Sequence, residues 1–280
     1  MSQKEISRGK EFFSCENYLP YKDIDSLKKF LEIASRLKIH LLVVDGLAIK
    51  DRDLLLNSSD LEKFSLINLK LIYETVRAKA ITFDEVRDSL KSIIYSEDYS
   101  SNIIVTRKTI HENSIDKIKK QLGSIRNQYE IIALHSNDRN TLKWAAQDRR
   151  IDYITIELHE NSEFIDQTLC SVVKQNNKNF EIVLSSIINT QTERELSDML
   201  RKGKKLMRTI NSTNAPFIYT MKPKSYFDLR TGSQMRHLGS LLDSPYNETK
   251  TCVFDKQIET LTTNIMKLHE SHVFEGIREV

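Results

Sequence analysis

Short apolar runs alternate with longer amphipathic stretches along most of this chain. The run at 40–44 (HLLVV) closes on Asp45-Gly46. A short run rich in Val and Leu that ends on a turn dipeptide predicts a buried parallel strand. Similar runs recur at 102–106, 129–134, 152–156, 180–184 and 216–220. Between them, apolar residues repeat at three- and four-residue steps, the period of a helix with one buried face. Leu27, Phe30, Leu31, Ala34 and Leu37 form the first such face, with Asp25 as its expected N-cap. Ile115, Ile118, Leu122 and Ile125 follow Ser114, and Leu142, Ala145 and Ala146 follow Asn137 or Asp138. Further helices are predicted over 163–175, 191–212, 232–242 and 255–269, before a last apolar segment at 273–280.

Alternating strands and helices imply βαβ units and a parallel sheet with right-handed crossovers. Seven or eight units favour a closed barrel over an open sheet. The expected fold is therefore α/β and TIM-barrel-like, one domain over 1–280, with parallel strands inside and helices outside. The length of 280 residues suits it. Residues 46–100 fit least and are read as a divergent helical and loop segment within the barrel. They hold helical patterns at 61–66 and 83–94, a possible strand at 69–76 and a polar loop at 96–101.

Composition narrows the function. Apolar residues make up 39% and charged residues 29%, so much of the surface must be solvated charge. A net charge of +3 permits contact with nucleic acid without demanding it. Cys15, Cys170 and Cys252 are sparse and lack zinc spacing, which fits a reducing compartment. Neither a leader nor a membrane-spanning run is expected, so the cytoplasm is the expected location. No GxGxxG or GxxxxGK loop occurs.

Asp45, His135 and Glu157 each follow a predicted strand, where metal-dependent barrel phosphoesterases carry their ligands. That pattern is the alternative reading: an enzyme acting on a phosphorylated small molecule. Against it, no His-x-His exists and the first strand candidate, 11–15, has no histidine. His111 and His159 stand alone in polar stretches, and His269 and His272 lack an HExxH frame. Cys170 lies on an inward helical face. No catalytic residue and no metal site are expected in this chain. The cations are more telling. Arg107, Lys108, Arg126, Arg149, Arg150, Lys222, Lys224 and Arg230 flank strands, where a rigid scaffold presents them to phosphates. Arg126 and Arg149 also suit helix C-termini. Arg201, Lys202, Lys204, Lys205 and Arg208 read as the solvated face of a helix.

The stretch 119–157 resembles the ribonuclease P protein component 3 family. A helix ending at Arg126 leads to the strand YEIIAL, then to a helix with an Ala-rich face at 144–146 and to Arg150-Ile151-Asp152. RKTIHEN (107–113), FEIVLSSII (180–188), 216–242 and HVFEGIREV (272–280) are also similar to that family. The resemblance covers 102–280, more weakly 25–46, and not 46–100. Thr220-Met221-Lys222 replaces the family's turn of small residues. The length resembles the archaeal form. The resemblance implies a barrel related to polymerase-and-histidinol-phosphatase barrels without their metal-binding histidines. It also implies a subunit of a tRNA-processing ribonucleoprotein, an endonuclease (hydrolase) that removes the 5′ leader of precursor tRNA. In it the RNA catalyses and uses Mg²⁺, while this chain binds no cofactor. The implied partners are ribonuclease P RNA, precursor tRNA, a ferredoxin-like protein subunit in a heterotetramer, and the other ribonuclease P proteins. The eight cations named above are the expected RNA contacts.

Overall fold

The computed structural model describes residues 14–64, 66–67, 69, 82–94, 102–245, 251–267, 272–274 and 277–278. β1 (Ser14–Pro20), β2 (Ile39–Asp45), β4 (Asn102–His111), β5 (Ile131–His135), β6 (Tyr153–Glu157), β7 (Asn179–Val183) and β8 (Phe217–Thr220) pair in that order. All the ladders are parallel. The short β3 (Leu66–Ile67) pairs with the first half of β4, and β5 pairs with the second half of that same edge. β1 and β8 close the ring through a side chain: Glu16 accepts hydrogen bonds from the Thr220 hydroxyl and from the backbone N–H groups of Met221 and Lys222. The result is a nearly closed TIM-barrel-like ring with surrounding helices, as the alternating pattern predicts.

The outer helices are α1 (Ile24–Arg36), α2 (Ile49–Leu56), α3 (Phe83–Ile94), α4 (Ile115–Ile125), α5 (Arg139–Ala145), α6 (Gln167–Gln175), α7 (Ser185–Ile188), α8 (Glu193–Thr213), α9 (Gly232–Ser240) and α10 (Asp255–Lys267). Side-chain caps set several of their starts. Asp23, not Asp25, closes α1: its backbone is extended, and its carboxylate accepts from the Ser26 N–H at 2.6 Å. Asp138 caps α5 and Thr192 caps α8, whereas Ser114 stands at the start of α4 without a side-chain capping bond. α6 starts at Gln167, later than expected, because Asp166 caps it and a 3-10 turn (Ser162–Phe164) precedes it.

The expected helix at 61–66 is a 3-10 turn (Ser59–Leu61) leading toward β3, while α3 forms as predicted. Leu69 is helical, and the rest of the expected 69–76 strand lies outside the described residues, as do 96–101, 11–13 and His269. The last apolar segment contains an antiparallel pair, β9 (His272–Phe274) with β10 (Ile277–Arg278).

The barrel interior is layered. Near the amino ends of the strands it is apolar, with Leu41, Val43, Ile103, Val105, Ile131 and Tyr153 packed on Phe254, Ile258, Leu261 and Ile265 at α10. α10 thus plugs the amino end. Toward the carboxyl ends the interior turns polar.

Candidate functional site

The first polar layer is built around Arg107, which is fully buried. Its Nη1 and Nη2 each lie 2.5 Å from an oxygen of Glu181, a bidentate pair. Nε donates to Thr109 and Nη2 to Thr155, while Nη1 also donates to the Asn17 carbonyl. The guanidinium lies 4.1 Å from the Tyr18 ring centroid. Glu181 also accepts from Asn17 Nδ2 and the Thr155 hydroxyl. The expectation that Arg107 meets RNA is therefore corrected: its donors are spent inside the barrel. A second buried pair, Arg52 with Glu130 at 2.5 Å, joins α2 to the segment before β5, where Glu130 also accepts from the Thr106 N–H and hydroxyl.

The mouth at the carboxyl ends gathers histidines and carboxylates. His135 ends β5 and Glu157 ends β6, and the turn after β6 carries His159 and Glu160. His135 Nε2 stands 3.1 Å from a Glu160 oxygen. His159 Nε2 stands 3.1 Å from the other Glu160 oxygen and 3.9 Å from Glu157 Oε2. Lys222 Nζ, held at a positive φ beyond β8, donates to Glu157 Oε1 and lies 5.0 Å from the Tyr18 ring centroid. The His111 ring centroid is 5.2 Å from that of His135, and the Tyr18 hydroxyl lies 3.2 Å from His111 Nε2.

Burial, then the neighbouring Lys222 ammonium, keeps the His135 imidazole below its usual pKa, against the raising pull of Glu157 and Glu160. Burial opposes ionisation of Glu157, but Lys222 outweighs it and draws the carboxyl below the usual range. The mouth thus presents a neutral imidazole beside an ionised carboxylate. His111 and His159, read as isolated, belong to this mouth. Asp45 does not join the His135 and Glu157 group: its Oδ1 accepts from the Thr109 N–H at 2.6 Å. Glu160 stands there instead, so the Asp45, His135, Glu157 ligand ring is not formed.

The opposite end carries a groove of about 800 Å³ among the segments that lead into β6, β7 and β8 and along α10. Arg149, Lys178, Lys256 and Lys267 line it against Asp152 and Glu259. Eight side-chain amides, Asn177 and Asn214 among them, make up much of the rest. Lys178 is buried, with its pKa pulled down to about 8 by desolvation, and donates to the carbonyls of Asp148 and Ile151. Arg126 reaches Asn264 Oδ1 at 3.3 Å from behind.

The eight predicted cations therefore do not form one rim. Lys222, Lys224 and Arg230 follow β8 at the mouth; Arg126, Arg149 and Arg150 precede β5 and β6 at the other end. Arg149 is exposed, Arg150 is held by Asp148, and Arg230 donates to the carbonyls of Phe227 and Leu229. Lys108 sits half-buried on β4, one residue from Arg107. The buried carboxylates Glu16, Glu130 and Glu181 were not anticipated. Their signal is a charged residue within or beside a run otherwise fit for burial, as in YEIIAL and FEIVL.

Parallel topology, a polar buried interior and charged ends define a TIM-barrel-like α/β protein. The pattern of the RNase P subunit p30 family matches residues 74–268, and the chain belongs to that family. It is an RNase P subunit. Among solved structures, a chain of "archaeal Ribonuclease P with mature tRNA" is similar in fold, at TM-score 0.62 and 11% identity, over 94% of this chain and 96% of that one. An uncharacterized protein is similar at TM-score 0.50 and 8% identity, over 89% of this chain and 74% of that one. A probable 2-pyrone-4,6-dicarboxylic acid hydrolase from Acinetobacter baumannii reaches TM-score 0.47 at 9% identity, over 89% of this chain and 98% of that one. No curated protein matches the sequence.

Proposed function

We propose that this chain is a non-catalytic, RNA-binding protein subunit of ribonuclease P, in which the RNA cleaves the 5′ leader from precursor tRNA with Mg²⁺. Membership of the p30 family carries the reading. In keeping with it, the structurally similar chain comes from an archaeal ribonuclease P with mature tRNA. The amino-end groove suits this role: its cations match phosphates, and its amides match 2′-hydroxyls and base edges. Arg149 and Arg150 at that end, with Arg126 behind them, are the favoured RNA contacts. Lys222, Lys224 and Arg230 form a second cationic set at the mouth, and Lys108 lies on the wall between. A ferredoxin-like protein subunit in a heterotetramer and the other ribonuclease P proteins are the proposed protein partners, in the cytoplasm. Among the described residues no helix is long and apolar enough to cross a membrane.

Reconstitution tests the reading. Ribonuclease P RNA and the remaining protein subunits are assembled with and without this chain, and pre-tRNA cleavage is measured at limiting Mg²⁺. Cleavage should fall when the chain is omitted. Equal rates with and without it would remove the proposal.

A further inference from the structure

Four side chains at the mouth stand closer together than their hydrogen bonds account for. His135 is 7% exposed, and its Nε2 takes no hydrogen bond among the described residues, although Glu160 Oε2 lies 3.1 Å away. The contact lacks hydrogen-bond alignment. Ligand atoms of His135, Glu157 and Glu160 all fall within 4.8 Å of one another. His159 Nε2 lies outside that mutual group but on its rim, 3.1 Å from Glu160 and 3.9 Å from Glu157. Ligands each about 2.0–2.2 Å from a shared tetrahedral ion lie roughly 3.4 Å from one another, so an ion would draw these side chains slightly inward.

We propose that His135, Glu157, His159 and Glu160 hold one divalent ion of the zinc class. Two imidazoles and two carboxylates suit zinc better than magnesium, which prefers oxygen ligands and keeps its waters. The neighbours are arranged as outer partners of such a site. Lys222 binds Oε1 of Glu157 and leaves Oε2 turned toward His159. A ligating carboxylate held by its own hydrogen bond is the usual outer-shell pattern. Asn161, within the same turn, accepts from the Glu157 N–H and donates to the carbonyls of Ser136 and Thr155, which fixes the turn against β5 and β6. Four protein ligands fill a tetrahedral ion, so no position remains for a reactive water. The ion is a clamp that ties the turn after β6 to the end of β5. This goes beyond the ribonuclease P reading and departs from the expectation that the chain holds no metal.

The test uses the full chain stripped with a chelator. Zn²⁺ is titrated calorimetrically, bound metal is counted by elemental analysis, and Co²⁺ serves as the spectroscopic probe. One ion per chain is expected, with the intense visible bands of tetrahedral Co²⁺. His159 and Glu160 are exposed, so His159→Ala and Glu160→Gln should fold, as thermal melts will show. Each should weaken Zn²⁺ by more than the roughly 10–100-fold that loss of an outer partner costs. His237→Ala, on the exposed side of α9, should leave Zn²⁺ affinity unchanged. Failure to take up Zn²⁺ saturably would overturn the proposal, as would one-to-one binding that survives both ligand substitutions.

Discussion

Removing Arg107 strands Glu181. The carboxylate is fully buried, and both its oxygens face the guanidinium. Breaking one partner of such a pair costs about 3–5 kcal/mol, because the other charge is left uncompensated. Arg107→Met should lower unfolding stability by that amount in urea titrations, and Arg107→Met with Glu181→Leu should recover much of it. A double variant no more stable than the single one would show that the pair is not what matters. Charge reversal at Arg107 would therefore report on folding, whereas Arg150 is partly exposed, so reversal there tests the proposed RNA contact.

Glu16 makes a different prediction. Burial drives its carboxyl up to about 7, against hydrogen bonds from Thr220, Tyr18, Met221 and Lys222. The folded chain then holds this proton more tightly than the unfolded chain. Its contribution is complete below the ordinary carboxyl pKa of 4.5 and is lost as pH rises through about 7. Unfolding midpoints should fall between about pH 4.5 and pH 7, and Glu16→Gln should flatten that part of the curve. An equal fall in both proteins would assign the effect to other groups. Neither prediction was legible in the sequence. Arg107 and Glu181 are 74 residues apart, and nothing local tells a buried ion pair from two solvated charges.

At the scale of elements, the periodic patterns fixed most helices and strands, and the errors have physical causes. β4 runs to His111, well past the apolar run, because Glu181 balances the Arg107 that seemed to end it. Close packing between elements was invisible for a similar reason. A Cβ on Gly239 would stand 2.6 Å from the Tyr219 ring, itself buried and directed at Met207. A Cβ on Gly203 would meet the tip of Leu242 at 2.5 Å, the flexible end of a side chain. Both positions lie in helices, where Ala is otherwise favoured over Gly. Gly239→Ala should thus destabilise by about 1–3 kcal/mol as the ring is forced aside, and Gly203→Ala by clearly less. Thermal melts of the two variants decide the order, and the reverse order would mean that the ring yields more readily than Leu242.

For the whole molecule, the barrel separates its cations onto two ends, and RNA affinity can be divided between them. The amino-end groove offers Arg149 and Lys267 as exposed charges, and the mouth offers Lys224. At the mouth, Lys222 is paired with Glu157, and Glu160 adds negative charge nearby. In the metal-free chain the net field there is weaker toward phosphate than in the groove, where four cations face two carboxylates. Each phosphate contact contributes about 0.7–0.9 to the slope of log affinity against log salt. Arg149→Glu with Lys267→Glu should therefore weaken RNA binding strongly and flatten that slope by about 1.5, whereas Lys224→Glu should do much less. Filter binding of ribonuclease P RNA across a salt series measures both quantities. The combination matters, because reversed charge at a site remote from RNA shifts affinity modestly by long-range repulsion but leaves the number of released counterions nearly unchanged. Should the Lys224 variant flatten the slope and the groove pair leave it intact, RNA would lie across the mouth, and the groove would be free for a protein partner.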